Sequence, residues 1–222
     1  MLMEKRFQEI LRILEEQGTA SVQDLTESLD ASEATIRRDL SQLAQMGKLK
    51  KIYGGAASLE TGYQTREIRV EERQELYVEE KKQIAKYAAS LIEPGDFVYV
   101  DAGSSTEYLV EYIEERDASY VTNSMSHALK LAGRGMKVSI LGGNVKGTTE
   151  AVVGADAMET LRRYHFTRGF WGADGIRKKE GCTTPEMEEA AVKRLSMKQT
   201  RECYVLCDGS KFGKIAQVTF AE

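Results

Sequence analysis

The sequence predicts an α/β protein in two parts, a small N-terminal unit of amphipathic helices closed by a basic hairpin and a larger unit built on a mainly parallel sheet. Three observations carry this. Apolar residues recur at helical spacing near the start of the chain; two serines, Ser21 and Ser32, stand where short helices begin; and beyond residue 96 short apolar runs alternate with helical patterns. Strands that alternate with helices imply a parallel sheet covered on both faces. A length of 222 residues holds one large domain, or a small one joined to a medium one.

The first helix is expected over 4–17, where Phe7, Ile10, Leu11 and Leu14 fall at i, i+3, i+4 and i+7 and Gly18 is placed to end it. Ser21 caps a second helix bearing Val22, Leu25 and Leu29. After Asp30-Ala31, Ser32 opens a third, with Ile36, Leu40 and Leu43 inward. Measured from Ile36, Arg38 stands at about 200° and Ser41 at about 140°, while Thr35 and Arg37 flank the apolar stripe. A narrow, polar, cationic face of this kind suits the major groove of DNA, although Arg37-Arg38 alone would favour a solvated surface. The next segment, Gly47-Lys48-Leu49-Lys50-Lys51-Ile52-Tyr53-Gly54-Gly55, tips the balance, because it reads as the wing of a winged helix-turn-helix.

Charge supports the same reading once it is taken by segment. The whole chain carries a formal net charge of −4, yet within 34–53 Arg37, Arg38, Lys48, Lys50 and Lys51 face Asp39 alone. The residues expected to touch double-stranded DNA are Ser32, Thr35, Arg37, Arg38, Ser41, Lys50, Lys51 and Tyr53.

The domain boundaries are placed at 1–56 for the winged unit, 57–75 for a polar linker and 76–222 for the α/β domain. In the last, a helix carrying Ile84, Ala85, Ala88, Leu91 and Ile92 stops at Glu93-Pro94-Gly95. Strands are expected at 97–100, 120–122, 137–141, 166–171 and 203–207, with helices near 105–116, 125–133, 151–162 and 185–200. Ligands of such sheets bind beyond the C-terminal strand ends. Five polar, glycine-rich loops converge there, at 101–106, 122–124, 142–146, 172–175 and 208–211.

A glycine followed by hydroxyl residues at a helix start offers N–H groups and a positive dipole end to phosphate. Any one of these loops is also an ordinary turn. Asp101 is expected to take sugar hydroxyls or to orient its loop, since it would repel a phosphate; Lys146 and Lys211 are the better phosphate partners. Thr184-Pro185 reads as a helix cap, with Glu186 and Glu188 favouring the dipole. Neither a Walker lysine nor a dinucleotide glycine pattern is present, which disfavours a nucleotide.

Other function classes fall away on composition. With 41% hydrophobic and 30% charged residues and two prolines, the chain is not of disordered, collagen-like or mucin-like type. No apolar run approaches a membrane span and the N-terminus lacks a signal core, so a cytoplasmic protein without membrane contact is expected. Cys203 and Cys207 sit about 13 Å apart on what reads as a buried strand, too far to share a metal, and with Cys182 are expected as reduced packing residues. His127 and His165 have no chelating neighbours in sequence, so neither a metal, a cofactor nor a hydrolytic triad is expected.

Ser32-Glu33-Ala34-Thr35-Ile36-Arg37-Arg38-Asp39-Leu40, then Leu43, Gly47, Leu49 and Gly54-Gly55-Ala56, resembles the signature of the DeoR family of bacterial sugar-operon repressors. One departure is Tyr53, where the family usually has histidine. The larger half is similar to that family's sensor domain, whose fold is like that of sugar-phosphate isomerases. Family positions carry over onto Asp101, Gly103, Ser104, Ser105, Thr122-Asn123, Gly142-Gly143, Gly172, Gly175, Glu189, Lys193, Asp208, Lys211 and Phe212-Gly213. A closer likeness, through Gly142 to Lys146, Thr149-Glu150-Ala151, Phe166 to Phe170 and Gly181 to Ala190, is to the fructose-operon repressors.

The resemblance implies a homo-oligomeric repressor, dimer or tetramer, of a sugar catabolism operon, released from its operator by a phosphorylated sugar such as fructose 1-phosphate and not acting as an enzyme. Effector contacts are expected from Asp101, Gly103, Ser104, Ser105, Thr106, Thr122, Asn123, Gly143, Lys146, Asp174, Glu189 and Lys211. The alternative is an isomerase-like sugar-phosphate enzyme with an accessory helical domain, Asp174 or Glu189 serving as acid and base. Family members commonly run on beyond the segment matching Gln217-Val218-Thr219-Phe220 into a further strand, so at Glu222 the expectation is either a C-terminal truncation or the loss of that last strand.

Overall fold

The structure, a computed structural model, describes residues 3–58 and 70–222. It divides into two units, Met1–Tyr63 and Gln64–Glu222.

In the first unit α1 (Met3–Gln17) leads through β1 (Thr19–Ser21) to α2 (Val22–Leu29) and α3 (Glu33–Gln45), followed by β2 (Leu49–Ile52) and β3 (Gly55–Ser58). Both serine caps are present. Ser21 forms a capping box with Asp24, and the Ser32 hydroxyl accepts the Thr35 N–H. Ile10, Leu14, Leu25, Ile36, Leu40 and Leu43 interlock as the core, each worth roughly 1.5–3 kcal/mol on burial. Antiparallel pairing in the order β1-β3-β2 makes the wing a three-stranded sheet. Gly55 is required there, because a Cβ would stand 2.2 Å from the Ala20 carbonyl oxygen.

Two features of the expected boundaries change. Strand β3 runs to Ser58, beyond residue 56, and residues 70–74, expected as linker, form the helix α4 (Val70–Gln74) of the second unit. Most of the rest of that linker, 59–69, lies outside the described residues. The sequence hides α4 because its Val-Glu-Glu-Arg-Gln carries a single buried apolar residue, Val70, and no stripe.

The second unit continues with α5 (Val78–Ala89), β4 (Phe97–Val100), α6 (Ser104–Tyr112), β5 (Ser119–Thr122), α7 (Met125–Gly133) and β6 (Lys137–Ile140). An antiparallel hairpin of β7 (Asn144–Lys146) and β8 (Ala151–Val153) precedes α8 (Ala155–Leu161) and β9 (Phe166–Gly172). Then come β10 (Gly175–Arg177), β11 (Gly181–Thr184), α9 (Met187–Lys198), β12 (Thr200–Leu206) and β13 (Val218–Ala221).

All five expected strands pair in parallel, in the order β12-β9-β4-β5-β6, while β10, β11 and β13 form a separate antiparallel sheet. Alternation along β4 sends Val98 and Val100 into one core, with Leu109, Ile113 and Phe170, and Tyr99 into the other, with Val121, Leu161, Trp171 and Val192. Trp171 is fully buried, donates its indole N–H to Ser196 Oγ at 2.9 Å and lies over a bare Gly169, where a Cβ would meet the ring at 2.2 Å.

Three expectations are corrected. The segment 151–162 opens as a strand, and its helix starts only after Gly154, whose φ of 99° turns the chain. The helix expected to stop at Glu93-Pro94-Gly95 ends at Ala89, and Leu91 and Ile92 reach the core through turns. Cys203 is exposed, because β12 is an edge strand, while Cys182 and Cys207 are half-buried; all three are free thiols.

Candidate functional site

On the first unit the expected DNA face is solvent-exposed and internally braced. Ser32 and Thr35 join hydroxyls at 2.8 Å, at the N-terminus of α3. Arg37 pairs with Glu33 one turn back, Nη2 to Oε1 at 2.6 Å, an exposed i,i+4 contact worth only about 0.3–0.5 kcal/mol and therefore easily exchanged for a phosphate. Arg38 is exposed, as are Lys50 and, at the tip of the β2–β3 turn, Tyr53. Lys51 of the wing donates to Ser41 Oγ of α3 at 3.0 Å, and Ser41 in turn donates to the Arg37 carbonyl at 2.8 Å. Helix and wing thus form one cationic surface. Asp39, the acid set against these cations in sequence, is buried and ion-paired with Arg6 of α1.

In the second unit a pocket opens where the sequence placed it, beyond the ends of β4 and β9. Of the expected effector residues, Ser104, Ser105, Asp174, Glu189 and Lys211 line it. Lys146 meets it through the Glu189 carboxylate at 3.3 Å. The others lie outside its lining. Asp101 is buried behind the wall, ion-paired with Lys193 and accepting the Gly172 N–H at 3.2 Å. Burial raises its pKa to about 6 against the opposing pull of Lys193.

Gly103 and Thr106 form the start of α6, with Thr106 Oγ1 donating to the Gly103 carbonyl at 2.9 Å. Thr122 accepts the Ser124 N–H at 3.0 Å, and Asn123 Oδ1 accepts the Ala102 N–H at 2.8 Å, bracing the loop from beneath. Gly143 packs against β8, where a Cβ would be 2.5 Å from the Val153 carbonyl. The side-chain oxygens of Thr106, Thr122 and Asn123 are thus engaged with backbone groups.

Three lining residues, Thr149, Lys193 and Arg73, and one buried behind them, Lys81, escaped the reading from residues. Lys193 and Thr149 line the wall, Thr149 donating to Glu189 at 2.6 Å; the family resemblance touched both without assigning them a contact. Arg73 comes from α4 and ion-pairs with Asp174 at 2.8 Å. Lys81 of α5 is buried and donates to Ser104 Oγ at 3.2 Å and to the Arg73 carbonyl. Its pKa falls to about 8, chiefly through burial, with Asp208 opposing that shift and Lys211 and Arg73 adding to it.

The helix α9 is capped by Glu186, which accepts the Glu188 and Glu189 N–H groups, in place of the expected Thr184-Pro185 cap. Thr184 donates instead to Asp174 at 3.1 Å. Serine hydroxyls at a helix N-terminus, with Arg73, Lys193 and Lys211 in the same lining and Lys81 behind Ser104, suit a phosphorylated ligand. Asp174 and Glu189 suit its hydroxyls. Among the described residues no three His, Cys, Asp or Glu side chains gather as a metal site, and no helix is long and apolar enough to cross a membrane.

The comparisons agree with this division. Residues 6–62 match the model of the DeoR-like helix-turn-helix domain and residues 77–222 that of the DeoR C terminal sensor domain. The chain is 38% identical, over its whole length and 88% of the relative, to the "Uncharacterized HTH-type transcriptional regulator FruR" of Bacillus subtilis. It is 33% identical, over 98% of this chain and 87% of the relative, to a "Lactose phosphotransferase system repressor" of Staphylococcus epidermidis. Among solved structures, ribose 5-phosphate isomerase A of Methanocaldococcus jannaschii aligns with a TM-score of 0.46 at 15% identity, covering 61% of this chain and 54% of that one. Helix-turn-helix unit, sensor unit and full-length relatives coincide along one sequence, and the chain belongs to the DeoR family of transcriptional regulators.

Proposed function

We propose that this regulator is a cytoplasmic repressor of a sugar catabolism operon and leaves its operator when a phosphorylated sugar, fructose 1-phosphate in the first instance, fills the pocket. The observation that carries this reading is the joining of Ser104, Ser105, Lys193 and Lys211 around one pocket in a chain that also bears a cationic helix-and-wing surface. The name of the lactose phosphotransferase system repressors supports a sugar-linked role. Fructose 1-phosphate rests on the finer sequence likeness around Gly142 to Lys146 and Gly181 to Ala190.

A symmetric dimer or tetramer presents paired copies of α3 to two half-sites, which gives a helix-turn-helix useful affinity. Effector binding favours an arrangement that misaligns them. By linkage, operator DNA weakens effector binding by the same factor. An isomerase would need a free acid and base in the pocket, whereas Asp174 is held by Arg73 and Thr184, and Glu189 by Thr149 and Lys146.

Fluorescence anisotropy of labelled DNA from the gene's own upstream region tests the reading, titrated at fixed salt with and without fructose 1-phosphate, fructose 6-phosphate and glycerol 3-phosphate. Sequence-selective binding reversed by one of these is the expected result. Binding without sequence preference would return the isomerase reading to the front.

A further inference from the structure

The pocket is nearly full as it stands. Its free volume is about 30 Å³, room for a water or two, so a sugar phosphate enters only if part of the lining moves. Ser104, Ser105, Gly172, Glu189 and Lys193 stand on α6, β9 and α9, which are packed into the two cores, and the loop residues Ala102, Ala173 and Asp174 directly adjoin those elements. Arg73 is different, because α4 has five residues and a helix so short has no stability of its own.

What holds α4 is almost entirely polar. Val70 donates to the Thr148 carbonyl at 3.2 Å, Gln74 to Glu107 at 2.6 Å, and Tyr108 donates to the Gln74 carbonyl at 3.0 Å. Of its remaining ties, Arg73 to Asp174 crosses the pocket lining and Lys81 to the Arg73 carbonyl lies just behind it. The guanidinium is underused, with Nε buried and without a hydrogen-bond partner among the described residues. Tyr77, between α4 and α5, is held at a φ of 54°, in the left-handed region where a tyrosine is strained.

A phosphate competes for both ties. It offers the guanidinium a bidentate partner better charged than one carboxylate oxygen, it recruits the Lys81 ammonium, and it repels Asp174. We infer that α4 is a latch: a phosphorylated ligand opens the pocket by drawing Arg73 from Asp174 and Lys81 from the Arg73 carbonyl, and the displacement of α4 is the step that weakens operator binding. The latch rests on the pocket reading above and adds the coupling residue to it.

Asp174→Asn tests it from one side and Arg73→Gln from the other, both in the full chain. Each breaks the latch without ligand, so each is expected to bind operator as weakly as the ligand-bound wild type, with added fructose 1-phosphate changing that affinity by a factor near one. Hydrogen exchange supplies the second readout. In the wild type, fructose 1-phosphate should speed amide exchange over residues 70–77 by about tenfold while slowing it at the start of α6. Slowed exchange at α6 with no change at 70–77, together with both variants binding and releasing operator like the wild type, overturns the latch and leaves the pocket standing. Silence at both places in the wild type, with fructose 6-phosphate and inorganic phosphate silent as well, overturns the pocket reading and the latch together.

Discussion

The guanidinium of Arg6, on the first helix, closes on the carboxylate of Asp39 in the middle of α3. The pair fixes the DNA-facing helix against its support and takes the only acid of segment 34–53 out of the surface field. Arg6→Ala leaves Asp39 buried and unpaired, a loss on the order of 3 kcal/mol. Urea denaturation should show the first unit melting early while the second is unchanged; an unshifted midpoint would mean the pair contributes nothing.

Arg38→Ala should cost about 1–3 kcal/mol on the operator and relax sequence preference, because an exposed arginine on α3 can pair a guanine edge. Lys50→Ala should instead weaken every sequence alike and lower the salt slope by about one. Anisotropy across a salt series separates the two behaviours, and identical profiles would remove the distinction between helix and wing.

Gly55→Ala drives a methyl group into the Ala20 carbonyl and should cost about 1–3 kcal/mol while detaching the wing. Gly54→Asn is the control. Its φ of 76° suits asparagine and nothing lies within 4 Å of the new Cβ, so stability and operator binding should hold.

Phosphate affinity should depend on pH through Lys81, whose pKa is lowered by burial to about 8. The ammonium is the form that attracts an anion and it predominates below about 8, so affinity is steady there and falls as pH rises past it. Titration calorimetry from about pH 7 to about pH 9 should show that fall in the wild type and a flat response in Lys81→Arg, which stays charged throughout. The same step in both would assign it to another group.

Ser105→Ala and Lys211→Ala should keep operator affinity and lose release by the sugar phosphate, since both side chains line the pocket of the second unit. Anisotropy with saturating ligand reads this directly. Normal release in both variants would move the ligand elsewhere.

Much of the architecture was legible because its signals are local. Ser21 and Ser32 cap the helices they were expected to cap, and the β4 and β9 ends do frame the pocket. What escaped depends on distant partners. Strand β1 exists because β3 pairs with it, and α4 because Thr148, Asp174 and Glu107 hold it. Lys81 sits among residues that pattern as a solvated helix face, and only the fold turns it against Ser104. Nor can a sequence show that Lys193, 92 residues on, comes back to pair with a buried Asp101.

The chain's single tryptophan, Trp171, is sealed inside the second unit and bonded to Ser196, three residues along α9 from the pocket's Lys193. The winged unit is therefore dark under excitation selective for indole. Emission from the unlabelled protein becomes a private optical channel for the sensor half, so occupancy of the pocket and departure from DNA can be followed as two separate clocks in one cuvette.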